Sequence, residues 1–304
     1  MPNTLFNVSS MMYQNKLRLH NKTLAQATER LSTGSRINNA KDDPFRNYES
    51  LNATSEIRNI GKAKQNSADG AALLQMAEGT CSEVHNILQR VRELSVQSSN
   101  DTLTSAERHF LNLEASELLK EVDRIVASVT FNSKQVFGNK GDSFSGEGRD
   151  LKDWNPFIRK DGEGNEIRAG VLHIGPSVNP GKYHDSNAIK VSIPELSAKT
   201  LGLDTLSLTY QNGATQAIDD LDFAISSIGT IRSYMGSLVN RLDWQIEGLE
   251  EKNITSNDHV SKIRDTDFAK ESTSLLTAQI QQQAAMSILA QSNSRISRVL
   301  EILG

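Results

Sequence analysis

The chain has 304 residues, with 33 basic and 37 acidic side chains and a formal net charge of -4. This balance disfavours nucleic acid as a partner, because phosphate recognition requires a basic surface. The one cysteine, Cys81, excludes an intrachain disulfide. No apolar run approaches the ~20 residues that a membrane span needs, so membrane insertion is not expected.

The two ends of the chain each predict a helix with a thin apolar stripe. Leu17, Leu24 and Leu31 recur every seven residues among many Asn, Thr and Ser residues. Isolated helices of this quality are marginal in water, so we expect residues 1–44 and 256–304 to pair into a domain of terminal helices with linkers. A chain that joins its ends in this way is typical of a polymer subunit. The candidate polymerisation residues are Leu17, Leu24, Leu31, Leu275, Ile280, Leu289, Ile296, Val299, Leu300 and Leu303.

Residues 45–155 and 195–304 contain no proline. Because proline breaks a helix interior at a cost of ~3 kcal/mol, these stretches permit long helices. The first is predicted from about residue 45 to Ser99, followed by a turn at Asn100-Asp101 and by Thr104 or Ser105 as the cap of the next helix. An apolar heptad seam follows the first helix at Leu73, Ala77, Thr80, Val84, Ile87, Val91 and Leu94.

Two more heptad seams predict partner helices for the first. One follows positions 111, 115, 118, 122, 125 and 129, and the other runs from Ile218 to Leu249 with Arg232 as its one charged position. We therefore predict a mainly α fold, a long antiparallel helical bundle or coiled-coil rod, formed by residues 45–138 with 214–255. The predicted rod core comprises Val84, Ile87, Val91, Leu118, Val122, Ile125, Leu242 and Ile246.

The middle of the chain, residues 139–213, changes composition. It holds four of the six prolines and many glycines. Residues 157–168 predict a hairpin, and residues 171–174 and 188–193 predict short strands. We expect a small β-rich insertion.

No pattern of catalytic or metal-binding residues stands out. The six histidines lack the spacing of a HExxH or another metal motif. Gly162-Glu163-Gly164 lacks the third glycine of a phosphate-binding loop, and no Gly-x-Ser-x-Gly elbow occurs. Cys81 lies in a helical run and is expected to be a small buried or half-buried residue. We expect no enzyme activity, no cofactor and no metal.

Ordered motifs lie along both predicted helical regions. They occupy residues 31–44, 66–70, 76–79, 88–97 and 131–134 in the first region, and 262–271, 279–280 and 289–293 in the second. Together they resemble bacterial flagellin, over roughly residues 4–138 and 216–304. Phe45-Arg46 departs from the resemblance, since the family usually has small residues there. Residues 172–176 are similar to a segment of spirochaete-type core flagellins, which form periplasmic filaments.

The resemblance implies a structural role. A homopolymer of thousands of copies forms a helical tubular propeller for motility, with the terminal helices as an inner tube and the central insertion facing outward. Export is expected through the flagellar type III apparatus, with an export chaperone on the C-terminal helix. The filament cap and hook-associated proteins are further implied partners. The filament is extracellular, or periplasmic if the protein is of the spirochaete type.

Three alternatives stay open beside this interpretation. A hook–filament junction protein shares both terminal signatures. Some family members carry a protease insertion, but that needs the HExxH motif, which this chain lacks. Flagellins are also ligands of an innate Toll-like receptor, and the matching positions here are Gln89, Arg90, Leu94 and Glu114.

Overall fold

The computed structural model describes residues 8–137, 170–175 and 187–303. These residues form five helices and four short strands. The helices are α1 (Val8–Thr33), α2 (Pro44–Ser98), α3 (Ser105–Ser128), α4 (Gln211–Arg264) and α5 (Phe268–Leu303). The strands are β1 (Thr130–Phe131), β2 (Lys134–Gln135), β3 (Gly170–His173) and β4 (Ala188–Val191). The predicted mainly α class is confirmed. Within the described residues, no helix combines the length and apolarity needed to cross a bilayer.

The predicted bounds of α2 and the predicted start of α3 are confirmed to within a residue. Helix α2 begins at Pro44, where the missing amide hydrogen costs nothing because the first turn of a helix has no acceptor for it. Helix α3 begins after Thr104, whose hydroxyl accepts a hydrogen bond from the amide of Glu107. The Glu107 carboxylate in turn accepts from the Thr104 amide and completes a capping box. These hydrogen bonds lower the pKa of Glu107.

The chain divides into two compact units. Unit 1 comprises residues 1–57 with 254–304, and unit 2 comprises residues 58–253. The divisions fall within α2 and within α4.

Unit 2 is held together by a core along α2, α3 and α4. On α2 one line of buried positions follows steps of three and four throughout the unit, at Ile60, Ala63, Ser67, Gly70, Leu74, Ala77, Cys81, Val84, Leu88, Val91, Ser95 and Ser98. Helix α4 repeats the pattern from Ala214 to Leu249. This period of 3.5 residues is the mark of helices that pack with their side chains interlocked along their length.

The continuous buried line on α2 differs from the predicted seam at alternate positions, although Leu73, Thr80 and Leu94 of the predicted seam are buried as well. Val84, Val91, Val122 and Leu242 are fully buried, whereas Ile87, Leu118, Ile125 and Ile246 are half-buried. In the buried seam, Leu88 lies where Ile87 is predicted, and Ile231 lies where Arg232 is predicted. Each helix contacts more than one neighbour, so its apolar face is wider than one seam, and the sequence alone does not identify the line that lies deepest.

Arg232 lies beside the core and not within it. Its guanidinium forms an ion pair with Glu78 of α2, with Nη2 2.7 Å from Oε1. Two further ion pairs, Lys64–Glu250 and Arg92–Asp222, also join α2 to α4. The α2 residues of the three ion pairs are Lys64, Glu78 and Arg92, which are spaced two heptads apart. Their charges alternate in sign, so a shift of α4 along α2 by two heptads would place like charges beside each other.

The described part of the central segment belongs to the unit 2 core. Strands β3 and β4 pair antiparallel, with Leu172 opposite Ile189, which confirms the two predicted strands. The buried residues Ile189, Val191, Ile193, Leu196, Leu201, Leu203 and Leu208 join the same core as the three helices. Residues 187–208 are therefore not an appendage that the helices could lose. The hairpin predicted at residues 157–168 lies outside the described residues.

We expect core truncations to reveal the depth of each position. Leu88→Ala should lower the free energy of unfolding by about 2–5 kcal/mol, because a fully buried leucine leaves a cavity. Ile87→Ala, one residue away and half-buried, should cost clearly less. Urea unfolding followed by circular dichroism measures both, and an equal or greater loss for Ile87→Ala would contradict the observed seam.

Candidate functional site

Helices α1 and α5 of unit 1 pair along most of their length. On α1 the less exposed residues follow steps of three and four, at Ser10, Tyr13, Leu17, His20, Leu24, Ala27 and Leu31. On α5 the matching residues are Glu271, Leu275, Ala278, Gln282, Ala285 and Leu289. This is a second seam with a 3.5-residue period, and it joins the two ends of the chain.

Polar contacts fix the register of this helix pair. The Ser10 hydroxyl donates to Oδ1 of Asn293 at 3.3 Å, and Nε2 of Gln282 donates to Oδ1 of Asn21 at 2.8 Å. Nearer the other end, an Nη1 atom of Arg30 lies 3.6 Å from a carboxylate oxygen of Glu271. Partners that rise along α1 fall along α5, so the helices are antiparallel and in a single register.

The helix pair is closed at one end by a short backbone bridge, here called the clasp, formed by residues 34–36 and 263–266. The amide of Thr266 donates to the Gly34 carbonyl at 3.0 Å, and the amide of Arg36 donates to the Arg264 carbonyl at 2.7 Å. Gly34 has a φ of +67°, which a side chain would strain. The clasp therefore ties the end of α1 to the connection between α4 and α5.

Side chains reinforce the clasp by satisfying carbonyl groups at the end of α4. Nη2 of Arg36 donates to the Ile263 carbonyl at 2.6 Å, and the Ser35 hydroxyl lies within hydrogen-bonding distance of the Arg264 carbonyl at 3.1 Å. The last carbonyls of a helix have no partner within it, so these donors act as a cap from a distant part of the sequence.

The loop after the clasp is ordered by Asp42. Its carboxylate accepts hydrogen bonds from the amides of Asn39 at 3.0 Å and Asn38 at 3.3 Å. The bond from Asn39, followed by that from Asn38, lowers the pKa of Asp42, because both favour the ionised form. The loop thus leads from the clasp to Pro44, where α2 begins.

The outer surface of α5 is uncharged and partly apolar. Residues 272–294 contain no Asp, Glu, Lys, Arg or His. Leu276 is 58% exposed and Ile280 is 67% exposed, and Met286 and Ile288 are also exposed. Met11, Met12 and Leu19 give α1 exposed apolar residues as well. A solvated helix usually carries charges on its outer face, so this surface is suited to contact with another protein.

The candidate polymerisation residues fall into three groups. Leu17, Leu24, Leu31, Leu275 and Leu289 are half-buried within the helix pair, whereas Ile280 faces outward. Ile296, Val299, Leu300 and Leu303 lie in α5, but their side chains are outside the described residues. The buried centre of the pair is formed by Ala27, Ala278 and Ala285, which are not among the predicted residues. A heptad pattern also includes positions three or four residues from each leucine, and the three alanines lie at such positions.

The predicted receptor residues do not form one exposed group. Arg90 is half-exposed and contacts Glu114 of α3 at 2.9 Å and Glu93 at 3.1 Å. Gln89 is exposed beside His85, with which it shares a hydrogen bond. Leu94, however, is only 1% exposed because it packs in the unit 2 core. Because its side chain cannot reach a partner protein, Leu94 does not fit the predicted role of a receptor contact.

The described residues offer little for bond-making chemistry. They contain no group of three or more His, Cys, Asp or Glu side chains placed to hold a metal ion. Cys81 is fully buried, and burial raises the pKa of its thiol to about 12, so the reactive thiolate is scarce at neutral pH.

The clasp is expected to depend on Arg36. Arg36→Ala removes the donor to the Ile263 carbonyl and should destabilise unit 1 by about 1–2 kcal/mol. Hydrogen exchange at the Thr266 amide should become faster. Arg46→Ala is the matched control, because its ion pair with Asp43 is exposed and should be worth under about 1 kcal/mol. Equal exchange in the two variants would show that Arg36 does not secure the clasp.

Both helical regions of the chain are similar in sequence to known proteins. The model of the bacterial flagellin N-terminal helical region matches residues 4–142, and that of the C-terminal helical region matches residues 218–303. The chain is 34% identical to a flagellin of Halalkalibacterium halodurans, over 91% of each chain. It is 30% identical to the flagellar filament 33 kDa core protein of Treponema phagedenis, over 98% of each chain.

A solved structure supports the fold. A candidate flagellar hook-associated protein from Vibrio parahaemolyticus superimposes with a TM-score of 0.54 at 15% identity. The match covers 74% of this chain and all of that one. At this identity the likeness concerns the fold alone.

Proposed function

The chain belongs to the bacterial flagellin family and is a structural subunit of a flagellar filament, and we propose that the α1–α5 pair of unit 1 makes the contacts that polymerise it. Relatives of this chain carry the names flagellin or flagellar filament core protein. The likeness to the hook-associated candidate extends only to the fold, so the junction role has no better support. The flagellin family is a family of structural proteins.

One observation carries the proposal, namely the uncharged outer surface of α5 at residues 272–294. Exposed leucine and isoleucine side chains on such a surface stabilise a contact when they are removed from water, by about 25 cal/mol per Å² of apolar surface buried. The α5 side chains that face α1 are already covered within the subunit. The outward residues, with Leu276 and Ile280 at the centre, are therefore left to contact neighbouring copies.

The subunits of a filament must assemble through contacts that do not close into a ring or dimer. A filament requires that two different surfaces of one subunit meet, because a patch that pairs with itself closes into a dimer. The antiparallel helix pair supplies two different surfaces, since the outer face of α1 carries Lys16, Arg18 and Lys22 while α5 carries no charge over residues 272–294. Contact between an α5 face and a neighbour's α1 face would repeat without closing.

Further partners follow from the same surface. An exposed apolar helix promotes aggregation before assembly, so we infer that an export chaperone covers α5 in the cytoplasm. Export through the flagellar type III apparatus, and contacts with the filament cap and hook-associated proteins, complete the proposed path. The filament is then extracellular, or periplasmic as in spirochaetes. The outward placement of the insertion and the inner-tube role of the terminal helices are parts of the same proposal.

A charge placed on α5 should stop polymerisation. In Ile280→Glu the monomer should keep its circular dichroism spectrum and thermal midpoint, because the position is exposed. Its critical concentration for polymerisation should rise at least about tenfold, which corresponds to about 1.4 kcal/mol. Ile280→Leu is the matched control and should polymerise normally. Normal filaments from Ile280→Glu, seen by electron microscopy, would reject the assignment of α5.

A second candidate function is binding to an innate Toll-like receptor. Arg90 and Glu114 join α2 to α3 across an exposed surface, and a guanidinium in such a place is suited to anchor an interface. Arg90→Ala should weaken receptor binding by the monomer, measured by surface plasmon resonance. Arg124→Ala is the control, because Arg124 is also exposed and paired with a neighbouring carboxylate. No binding by the unmutated monomer would reject this function.

A further inference from the structure

His20 of α1 lies half-buried in the α1–α5 seam. On the line of α1 that faces α5 it lies between Leu17 and Leu24. A histidine side chain changes charge between about pH 5 and 8, and the other side chains of this line do not. The seam that joins the two ends of the chain thus contains a group that gains a charge when the solution becomes mildly acidic.

Polar groups of both helices lie at the level of His20. Nε2 of Gln282 donates to Oδ1 of Asn21, the residue next to His20, at 2.8 Å. Gln282 also belongs to the α5 side of the seam, so it lies at the same level of the helix pair as His20. An amide side chain forms hydrogen bonds but carries no charge to balance an imidazolium. This level of the seam therefore suits a neutral histidine better than a protonated one.

No acidic side chain faces His20 from α5. Residues 272–294 of that helix contain no charged residue and no histidine. Toward the clasp, the first acidic residue of α5 is Glu271, which is paired with Arg30 at 3.6 Å. Arg30 lies about 15 Å from His20 along α1, so this carboxylate is too distant to balance a proton on the imidazole.

The charges that α1 itself carries near His20 are positive. Lys16 precedes His20 by one helical turn, and Arg18 and Lys22 lie within two residues of it. Like charges one turn apart on a helix repel each other. Glu29 is the one acidic residue of α1, and it lies about 14 Å from His20 along the helix. Protonation would therefore add a positive charge to a stretch that is already positive.

We infer that His20 makes the α1–α5 pair sensitive to acid, because a proton on its imidazole has no counter-charge in the seam and favours separation of the two helices. A half-buried charge without a partner costs free energy while the helices are together, and it costs little once they separate and the side chain enters water. The stability of the pair therefore falls as the pH falls from about 7 to about 5. The clasp is held by backbone hydrogen bonds and should stay closed.

The other histidine of unit 1 has the opposite environment. Nε2 of His259 in α4 lies 3.3 Å from Oε1 of Glu49 in α2. Protonation there completes an ion pair, so mild acid should not weaken that contact. Residues 1–57 and 254–304 contain no third histidine. A loss of stability of unit 1 between about pH 7 and 5 is therefore assigned to His20.

The first test compares the critical concentration for polymerisation of the full chain at about pH 7.5 and about pH 5.5. For the unmutated chain this concentration should be at least about tenfold higher in acid. For His20→Gln, which keeps a polar side chain but takes up no proton, the ratio should stay below about threefold. His109→Gln is the matched control, because His109 is exposed on α3, and it should give the ratio of the unmutated chain.

This measurement rests on the proposed polymerisation role, and the two ideas fail in different ways. An unmutated chain that forms no filaments at about pH 7.5 would reject the polymerisation role. Filaments that form at that pH, but with the same acid ratio for His20→Gln as for the unmutated chain, would overturn only the role of His20. An unmutated chain without an acid effect would do so as well.

A carboxylate placed in the seam should rescue the pair in acid. Gln282→Glu supplies the charge that α5 lacks at the level of His20, so the protonated imidazole gains a partner. The acid ratio of this variant should be clearly lower than that of the unmutated chain. An undiminished ratio would show that another group is responsible and would overturn the proposal.

Hydrogen exchange in the monomer tests the proposal without filaments. At about pH 5.5 the amides of residues 278–285 should exchange at least about fivefold faster in the unmutated chain than in His20→Gln, because a helix that loses its partner is marginal in water. The Thr266 amide of the clasp should exchange equally in both chains. A comparison at one pH removes the intrinsic pH dependence of exchange. Equal rates at residues 278–285 would overturn the proposal.

Discussion

Side-by-side packing of long helices with a 3.5-residue period is the constraint on which the structure depends. It recurs twice, once along α2 and α4 in unit 2 and once between α1 and α5 in unit 1. Leu, Ile, Val and Ala supply most of the buried side chains of the unit 2 seams, whereas the α1–α5 seam also contains Tyr13, His20 and Gln282.

Register is set by polar groups, since an apolar heptad fits equally well after a shift of seven residues. In unit 2 the alternating signs at Lys64, Glu78 and Arg92 select one alignment of α2 with α4. In unit 1 the clasp performs this role by joining backbone near Gly34 to backbone near Thr266. Because Arg36 and Ser35 also cap the end of α4, loss of the clasp would expose unsatisfied carbonyl groups.

The exposed faces of the helices suit a subunit that is complete only in its polymer. The uncharged surface of α5 leaves apolar area in water, which costs free energy in the monomer.

The sequence by itself determined the helical class, the bounds of α2, a cap at Thr104 or Ser105, the strands β3 and β4, and the family. These depend on local periods, on proline positions and on short motifs that a single chain displays. Only the tertiary structure decided that Leu88 and not Ile87 lies deepest, that Leu94 is inaccessible, and that residues 187–208 complete the helical core. Such facts depend on which neighbour covers each face, and a helix with apolar residues on more than one line does not reveal its neighbours until it is packed against them.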